Sequence, residues 1–350
     1  GGELTTQAII EATKIPILTI HSQRVTKQII EQHKDKYWIF GNCAGLPNDI
    51  ILYACKNINY TVIEYDYKFC SYRLPEKHIA SEGKCDCQNS QRGKLFSIFF
   101  AKANNLWFMS AAQRQIYYDL FPFLEKPTTR VLSSVFNNQT IEYINSLDQS
   151  EKDNVWLIQD SPSWVKGSNK AVEYATQKEI PYETFSGVEY SAMLKKFAKA
   201  KGFIFLPEGS DTCPRTVIEA KLLGCELILN DNVQHKDEDW FTGSREDTLE
   251  YLQGRADIFW SETYKHMGNK IPQLYQETED TRFKIIVPVY NSENWISRTI
   301  ESVQDQKYEN YECYISDDMS TDNTFEAAKK SASGDNFSVV RCPSKKYALK

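Results

Sequence analysis

A chain of 350 residues that is 41% hydrophobic and 25% charged can bury two or three cores, and nothing in its composition points to disorder. Its formal net charge of -6, without a basic stripe, argues against a nucleic-acid partner, although a small anionic ligand needs only a local positive site. No apolar run approaches the ~20 residues of a membrane span, no signal-peptide pattern is present, and nine scattered cysteines fit a reducing, cytoplasmic setting better than a disulfide framework.

Strand-like and helix-like runs alternate from the start. Ile17 to Ile20 reads as a strand and Val25 to His33 as a helix; Trp38 to Phe40 and then Asp49 to Lys56 repeat the pair, and Tyr60 to Tyr65 is the next strand. Such alternation predicts a parallel sheet flanked by helices. The turn Gly41 to Pro47 is an ordinary strand-to-helix connection that could also approach a ligand.

Lys68 to Gly93 breaks the rhythm with a polar loop holding Cys70, His78, Cys85 and Cys87. These are zinc-ligand types, and a metal here would staple the loop rather than do chemistry. The C-x7-H-x6-C-x-C spacing matches no strong zinc pattern, and the nearness of Cys85 to Cys87 works against closure on one ion. Reduced cysteines or a local disulfide are the alternatives.

Leu106 to Met109 is predicted as a strand, Ala111 to Leu120 as a helix and Arg130 to Ser133 as a strand. Asp148 to Asn154 is polar and suits a hinge. Val155 to Gln159 is then a strand, followed by the loop Asp160 to Gly167 and a helix over Asn169 to Gln177.

Gly202 to Asn230 is the most informative stretch. Phe203 to Leu206 suits a buried parallel strand, Thr212 or Cys213 can cap a helix with Pro214 in its first turn, Gly224 ends it, and Glu226 to Leu229 is a second strand. The intervening loop and helix start belong at the carboxyl edge of a sheet, where open α/β folds bind ligands. Asp211 and Glu219 lie about two turns apart, so both are expected to face one cleft and accept hydrogen bonds from sugar hydroxyls. The helix amino end between them suits a pyrophosphate, with Arg215 as a bidentate partner.

The segment PEGSDTCPRTVIEAKLLGCELI resembles the donor-binding half of family 4 glycosyltransferases, in which two glutamates are separated by seven residues. Glu219 and Ala220 match, whereas Asp211 stands where the family usually has Glu. The resemblance implies that Asp211 holds the sugar and Glu219 the ribose of a nucleotide sugar, with Lys166, Thr212, Cys213 and Arg215 around the donor. It extends weakly through SAAQRQIYYDLFPFLEKPTTRVLSSVFN. Lys166-Gly167 fits the family's phosphate-gripping loop, but Asp160 falls where Arg is expected; Tyr182 to Phe185, Gly187 and Met193 are similar to the segment that flanks the base. A family histidine facing the sugar is replaced by Tyr65-Asp66-Tyr67, which makes Asp66 the candidate acid/base residue, with His21 and His235 as fallbacks.

Thr248 to Phe259 reads as a helix that Trp260 to Met267 continues, and by the resemblance it crosses back to the first domain. Gly268 to Thr281 is a polar linker. A new unit then opens with FKIIVPVYNSENWISRTIESVQDQKYENYECYISDDMSTDNT: a strand over Lys284 to Val287, a helix through Val303 and a strand over Glu312 to Ser316. Its Pro-Val-Tyr-Asn and Asp-Asp-x-Ser-x-Asp-x-Thr pieces resemble the nucleotide-binding start of family 2 glycosyltransferases, a GT-A fold. That implies that Pro288, Tyr290, Asp317 and Asp318 bind a nucleotide, Tyr290 stacking on the base and Asp318 accepting from its imide. The family's metal-binding Asp-x-Asp and catalytic base lie beyond these motifs, so the expectation is a fragment of a longer bifunctional enzyme whose tail alone does not transfer sugar.

The expected fold is therefore α/β: two Rossmann-like domains facing a cleft (GT-B), at 1-150 and 151-270, a linker at 271-281, and an incomplete GT-A-like unit at 282-350. The expected function is transfer of a sugar from a UDP- or GDP-sugar to a glycan or other acceptor. By resemblance the first domain retains anomeric configuration without a metal, and a divalent metal is expected only for a complete second domain. The rival readings are a non-catalytic sugar-nucleotide or glycan-binding module, and a sugar-nucleotide epimerase on the same fold.

Overall fold

Short apolar runs become buried strands where helices cover both faces of a sheet, and β2 (Tyr60–Glu64), buried at every position, is the clearest case. It pairs in parallel with β1 (Trp38–Phe40) and β3 (Asn105–Phe108), and β4 (Thr129–Val131) completes a sheet of order β1-β2-β3-β4. A second parallel sheet, β6-β5-β7-β8, is built from β5 (Asp153–Gln159), β6 (Tyr182–Phe185), β7 (Ala200–Phe205) and β8 (Glu226–Leu229). Phe203 on β7 registers with Leu157 on one side and Leu227 on the other.

The computed structural model describes residues 1–149, 151–267, 282–306 and 310–342, and the chain divides into the units Gly1–Pro272 and Gln273–Lys350. Both four-stranded sheets belong to the first unit and share one core, in which Trp107 and Leu132 join Leu157, Phe203 and Val217. Helix Arg255–Met267 ties the unit together. Trp260 Nε1 donates to the Ile9 carbonyl at 2.8 Å, Arg255 Nε to that of Leu132 at 2.9 Å, and Asn105 Nδ2 to that of Glu262 at 3.1 Å.

Several elements depart from expectation. Ile17 to Ile20 is no strand: Leu18 is 68% exposed and the run has no neighbouring strand to complete its hydrogen bonds. Helix Gly2–Glu11, which the pattern did not reveal, packs near helix Arg255–Met267 instead. The segment after Lys68 is not all loop, for it forms helix Pro75–Glu82 and the first turns of helix Gln91–Lys102, whose Phe96, Phe99 and Phe100 fill the core of the first sheet. The single helix expected from Thr248 breaks at Gly254 into Arg245–Gln253 and Arg255–Met267. Strand β5 begins at Asp153, inside the expected hinge.

The second unit is a smaller parallel sheet, β11-β10-β9, from β9 (Phe283–Val289), β10 (Tyr311–Asp317) and β11 (Phe337–Arg341), with helices Ile296–Gln304 and Thr324–Ser331. Val289, Ile296, Ile300, Cys313, Ile315 and Ala328 form its own core. The expected linker lies outside the described residues. Among the described residues no helix is long and apolar enough to cross a membrane.

Candidate functional site

The order β6-β5-β7 reverses direction at β5, because the chain leaves β5 toward one neighbour and returns to pair with its other edge. A parallel sheet opens a crevice at the carboxyl ends of two such strands. Here the crevice holds a cavity of about 280 Å³, near the small end for ligand sites. Gln159 at the end of β5 and Asp211 to Thr216 after β7 line it from the second sheet, and Tyr65, Met109 and Ser134, just after β2, β3 and β4, line it from the first.

One helix amino end opens onto this space, since Pro214 to Thr216 span the start of helix Arg215–Leu222; Gly1 and Gly2 also line it. The free N–H groups and dipole of that helix favour an anion. Pro214 is the N-cap, with no side-chain cap bond, rather than a first-turn residue. Thr212 does not cap either: its Oγ1 donates to the Tyr65 carbonyl at 2.9 Å, and Cys213 is buried, its thiol pushed up to about 12 by burial.

Lys166 supplies the cation. It closes a short turn, Trp164–Lys166, after which Gly167 adopts a left-handed conformation at φ 61° and starts helix Ser168–Gln177. A Cβ on Gly167 would lie 1.9 Å from the Leu206 carbonyl oxygen, so only glycine lets the two loops meet. The Lys166 ammonium thereby reaches Asp211 Oδ2 at 2.8 Å. Asp211 is held from behind, its N–H donating to the Asn232 carbonyl at 2.8 Å and its own carbonyl accepting from Gln234 N–H at 3.1 Å.

The acid pair does not share the hollow. Asp211 lines it, whereas Glu219 is 1% exposed and lies outside its lining, accepting from Arg215 Nε at 2.8 Å and from the Tyr190 hydroxyl at 2.6 Å. Burial pushes the Glu219 carboxyl above its ordinary range. Four residues of helix place Arg215 directly over Glu219, so the guanidinium turns inward, donates to the Val135 carbonyl at 2.7 Å and covers the Phe136 ring. That commitment leaves no bidentate grip for a phosphate.

Asp66 is likewise corrected as an acid/base candidate. It is outside the cavity lining, and its carboxylate pairs with Lys68 at 3.2 Å and with Arg73. Burial raises it, but the two cations outweigh burial and hold it below the usual carboxylate range, the wrong direction for a group that must carry a proton near neutrality. Asp160 is exposed, its N–H donating to the Phe185 carbonyl at 2.8 Å. His21 accepts from Gln23 N–H in an exposed turn, and His235 is fully buried against Trp240 and Phe241, so neither reaches the cavity. Sequence reasoning missed Tyr65, Met109, Ser134 and Gln159; their only signal was position, at or just past strand ends.

In the second unit the loops after β9 and β10 are laced together. Asn291, at φ 47°, accepts from Thr321 N–H through its side chain, and its own N–H donates to Ser320 Oγ. Pro288 sits in β9 and registers with Ser316, and Tyr290 follows with its ring half exposed. Asp317 is buried and paired with Arg341 Nε at 2.9 Å, a structural bond. Asp318 is different. Its Oδ1 is buried with no hydrogen-bond partner, an acceptor left open beside the strand ends.

Residues 284–349 match the model of Glycosyl transferase family 2. The matched segment contains both laced loops and Asp318. Uncharacterized glycosyltransferases of Rickettsia are similar to parts of the chain: one from Rickettsia conorii is 32% identical over 91 residues, 23% of this chain, and one from Rickettsia bellii is 36% identical over 70 residues, 20% of this chain. The chain covers only 15% and 10% of the length of these two relatives. Among solved structures, a UDP-forming α,α-trehalose-phosphate synthase from Burkholderia xenovorans superposes with a TM-score of 0.44 at 7% identity, over 70% of this chain and 77% of that one.

Proposed function

We propose that the chain is part of a bifunctional, cytoplasmic glycosyltransferase whose first unit binds the diphosphate of a UDP- or GDP-sugar in the cavity at β5 and β7. The observation that carries this reading is the convergence of the amino end of helix Arg215–Leu222 and the Lys166 ammonium on one cavity that also presents the Asp211 carboxylate. A diphosphate draws on the first two, and Asp211 accepts from hydroxyls of the attached sugar. Stabilisation of the leaving diphosphate by that helix end and Lys166 then needs no metal in this unit. At about 280 Å³ the cavity accommodates the diphosphate and adjacent atoms, and the nucleoside extends out of it. In the family 2 segment, Asp318 Oδ1 and the Tyr290 ring are the proposed partners of a second donor's base.

Asp211 is the one carboxylate among the cavity's lining residues, and it is already paired with Lys166. That favours a second reading, a module that binds donor without transfer. A panel of UDP- and GDP-sugars, followed by thermal unfolding of the full chain, tests binding; a ligand at a hundred times its Kd adds about 2.7 kcal/mol. Stabilisation lost in Lys166→Ala supports the site, and stabilisation by no donor sinks it. Donor hydrolysis or transfer that Asp211→Asn abolishes distinguishes the enzyme from the module.

A further inference from the structure

The segment between β2 and helix Gln91–Lys102 brings four chemically similar side chains to one point. Cys70 closes a turn, its N–H donating to the Tyr67 carbonyl, His78 lies on helix Pro75–Glu82, and Gly83 ends that helix in a left-handed conformation at φ 80°. Cys85 follows, and Cys87 opens the turn Cys87–Asn89. The sulfurs of Cys70, Cys85 and Cys87 and a ring nitrogen of His78 all lie within 4.8 Å of one another. The tight Cys-x-Cys spacing therefore does not prevent convergence: the turn at Cys87 swings its sulfur back toward His78.

We propose that Cys70, His78, Cys85 and Cys87 hold one structural zinc ion. Three of the six ligand–ligand edges lie close to tetrahedral values, and none exceeds 4.8 Å. Bond lengths of ~2.3 Å to sulfur and ~2.05 Å to nitrogen put neighbouring ligands about 3.8 Å apart for two sulfurs and about 3.6 Å apart for sulfur and nitrogen. Cys85 Sγ to Cys70 Sγ is 3.7 Å, Cys70 Sγ to His78 Nδ1 is 3.6 Å, and Cys87 Sγ to His78 Nδ1 is 3.3 Å. A disulfide between Cys70 and Cys85 would need ~2.05 Å.

The surroundings suit a metal as well. Nδ1 faces the sulfurs while Nε2 of the same ring lies 3.0 Å from Glu82 Oε2, the carboxylate–imidazole arrangement that fixes the tautomer of a metal-bound histidine. Tyr72 stacks on the His78 ring at 4.6 Å and donates its hydroxyl to the other Glu82 oxygen at 2.7 Å. On binding, three thiols release their protons to solvent and three sulfur–zinc bonds and one nitrogen–zinc bond form. Four protein ligands leave no open position, so the ion is structural.

The stapled segment reaches the cavity wall. Glu76 accepts from Ser210 Oγ, and a Cβ on Gly209 would touch Leu74 and Glu76, so the contacts fall one and two residues before Asp211. Metal loss therefore loosens the loop that presents Asp211, but metal binding itself does not depend on what the cavity binds.

Elemental analysis of the purified full chain tests the proposal. About one zinc per chain is expected, and cobalt(II) exchanged into it should give the intense sulfur-to-cobalt band and d–d spectrum of a tetrahedral thiolate site. His78→Ala and Cys87→Ala should lose the metal, Glu82→Ala should weaken its affinity about 10-fold or more, and Cys55→Ser, outside the cluster, should retain it. Chelation should lower the Tm, and zinc alone should restore it. Should the ligand variants fail to fold, the cobalt spectrum of the unmodified chain decides. Full-chain protein lacking zinc, an octahedral cobalt spectrum, or a mapped Cys70–Cys85 disulfide would overturn the proposal.

Discussion

Gly167→Ala isolates the contact that places Lys166 beside Asp211. The glycine has φ 61°, and holding a residue with a Cβ in that region costs about 1–2 kcal/mol. The new Cβ would also lie 1.9 Å from the Leu206 carbonyl oxygen and 2.7 Å from its carbon, so two backbone segments must separate by about 1 Å or more. Forced overpacking of that kind costs roughly 1–3 kcal/mol. The sum, about 2–5 kcal/mol, corresponds to a fall in Tm of about 4–20 °C at ~2–4 °C per kcal/mol for a unit of this size. Gly187→Ala is the control, because Gly187 has the same φ of 61° but nothing within 4 Å of the point a Cβ would occupy. It should lose only the conformational part, about 1–2 kcal/mol. Thermal unfolding of both variants, with and without UDP and GDP, reads the difference. Equal losses in the two, or an unchanged Tm in Gly167→Ala, would refute the claim that loop-to-loop contact at Leu206 requires glycine.

Removing the cation by Lys166→Ala should change Tm by little and abolish most of the nucleotide-dependent shift, and an undiminished shift would place the diphosphate elsewhere. Glu219→Ala strands the Arg215 guanidinium, 5% exposed, without its carboxylate, so unfolding in denaturant should show a loss of about 3–5 kcal/mol; Tyr190→Phe should lose about 1 kcal/mol. Burial alone lowers His235 from 6.5 to about 3, so the folded state excludes a proton that the unfolded state takes up. Its contribution is fully present above pH 6.5 and is lost as pH falls toward 3, on the order of 3 kcal/mol by pH 4.5; His235→Leu should flatten that limb of the stability–pH curve by one proton. Asp318→Ala should remove UMP binding by the family 2 segment, measured calorimetrically, while leaving the Lys166-dependent shift intact.

The parallel α/β class and most strands after Trp38 were legible because a strand buried on both faces needs a continuous apolar run, and Val62 to Ile63 and Phe203 to Phe205 supply one. The loop and helix around Asp211 were legible for the same reason, as was the motif pair of the second unit. Ile17 to Ile20 misled because an apolar run is necessary for a strand but pairing is what completes it. Helix Gln91–Lys102 was not among the expected elements, although Phe96, Phe99 and Phe100 recur at helical spacing, because its first turn lies inside the stretch expected as a polar loop.

Local sequence determined which residue types stand at the ends of which strands, and so put Lys166, Asp211 and the start of helix Arg215–Leu222 near one sheet edge. It could not determine where the long side chains turn. Arg215 and Glu219 satisfy one another four residues apart, and Asp66 is taken by Lys68 and Arg73, because buried charges must be paired wherever the fold brings partners within reach. Tertiary structure alone decided that Tyr65, Met109 and Ser134 of one sheet face Gln159 of the other, and that four ligands spaced irregularly over Cys70 to Cys87 meet at one point. Those meetings depend on how turns and helices fold back in space, which spacing along a chain does not encode.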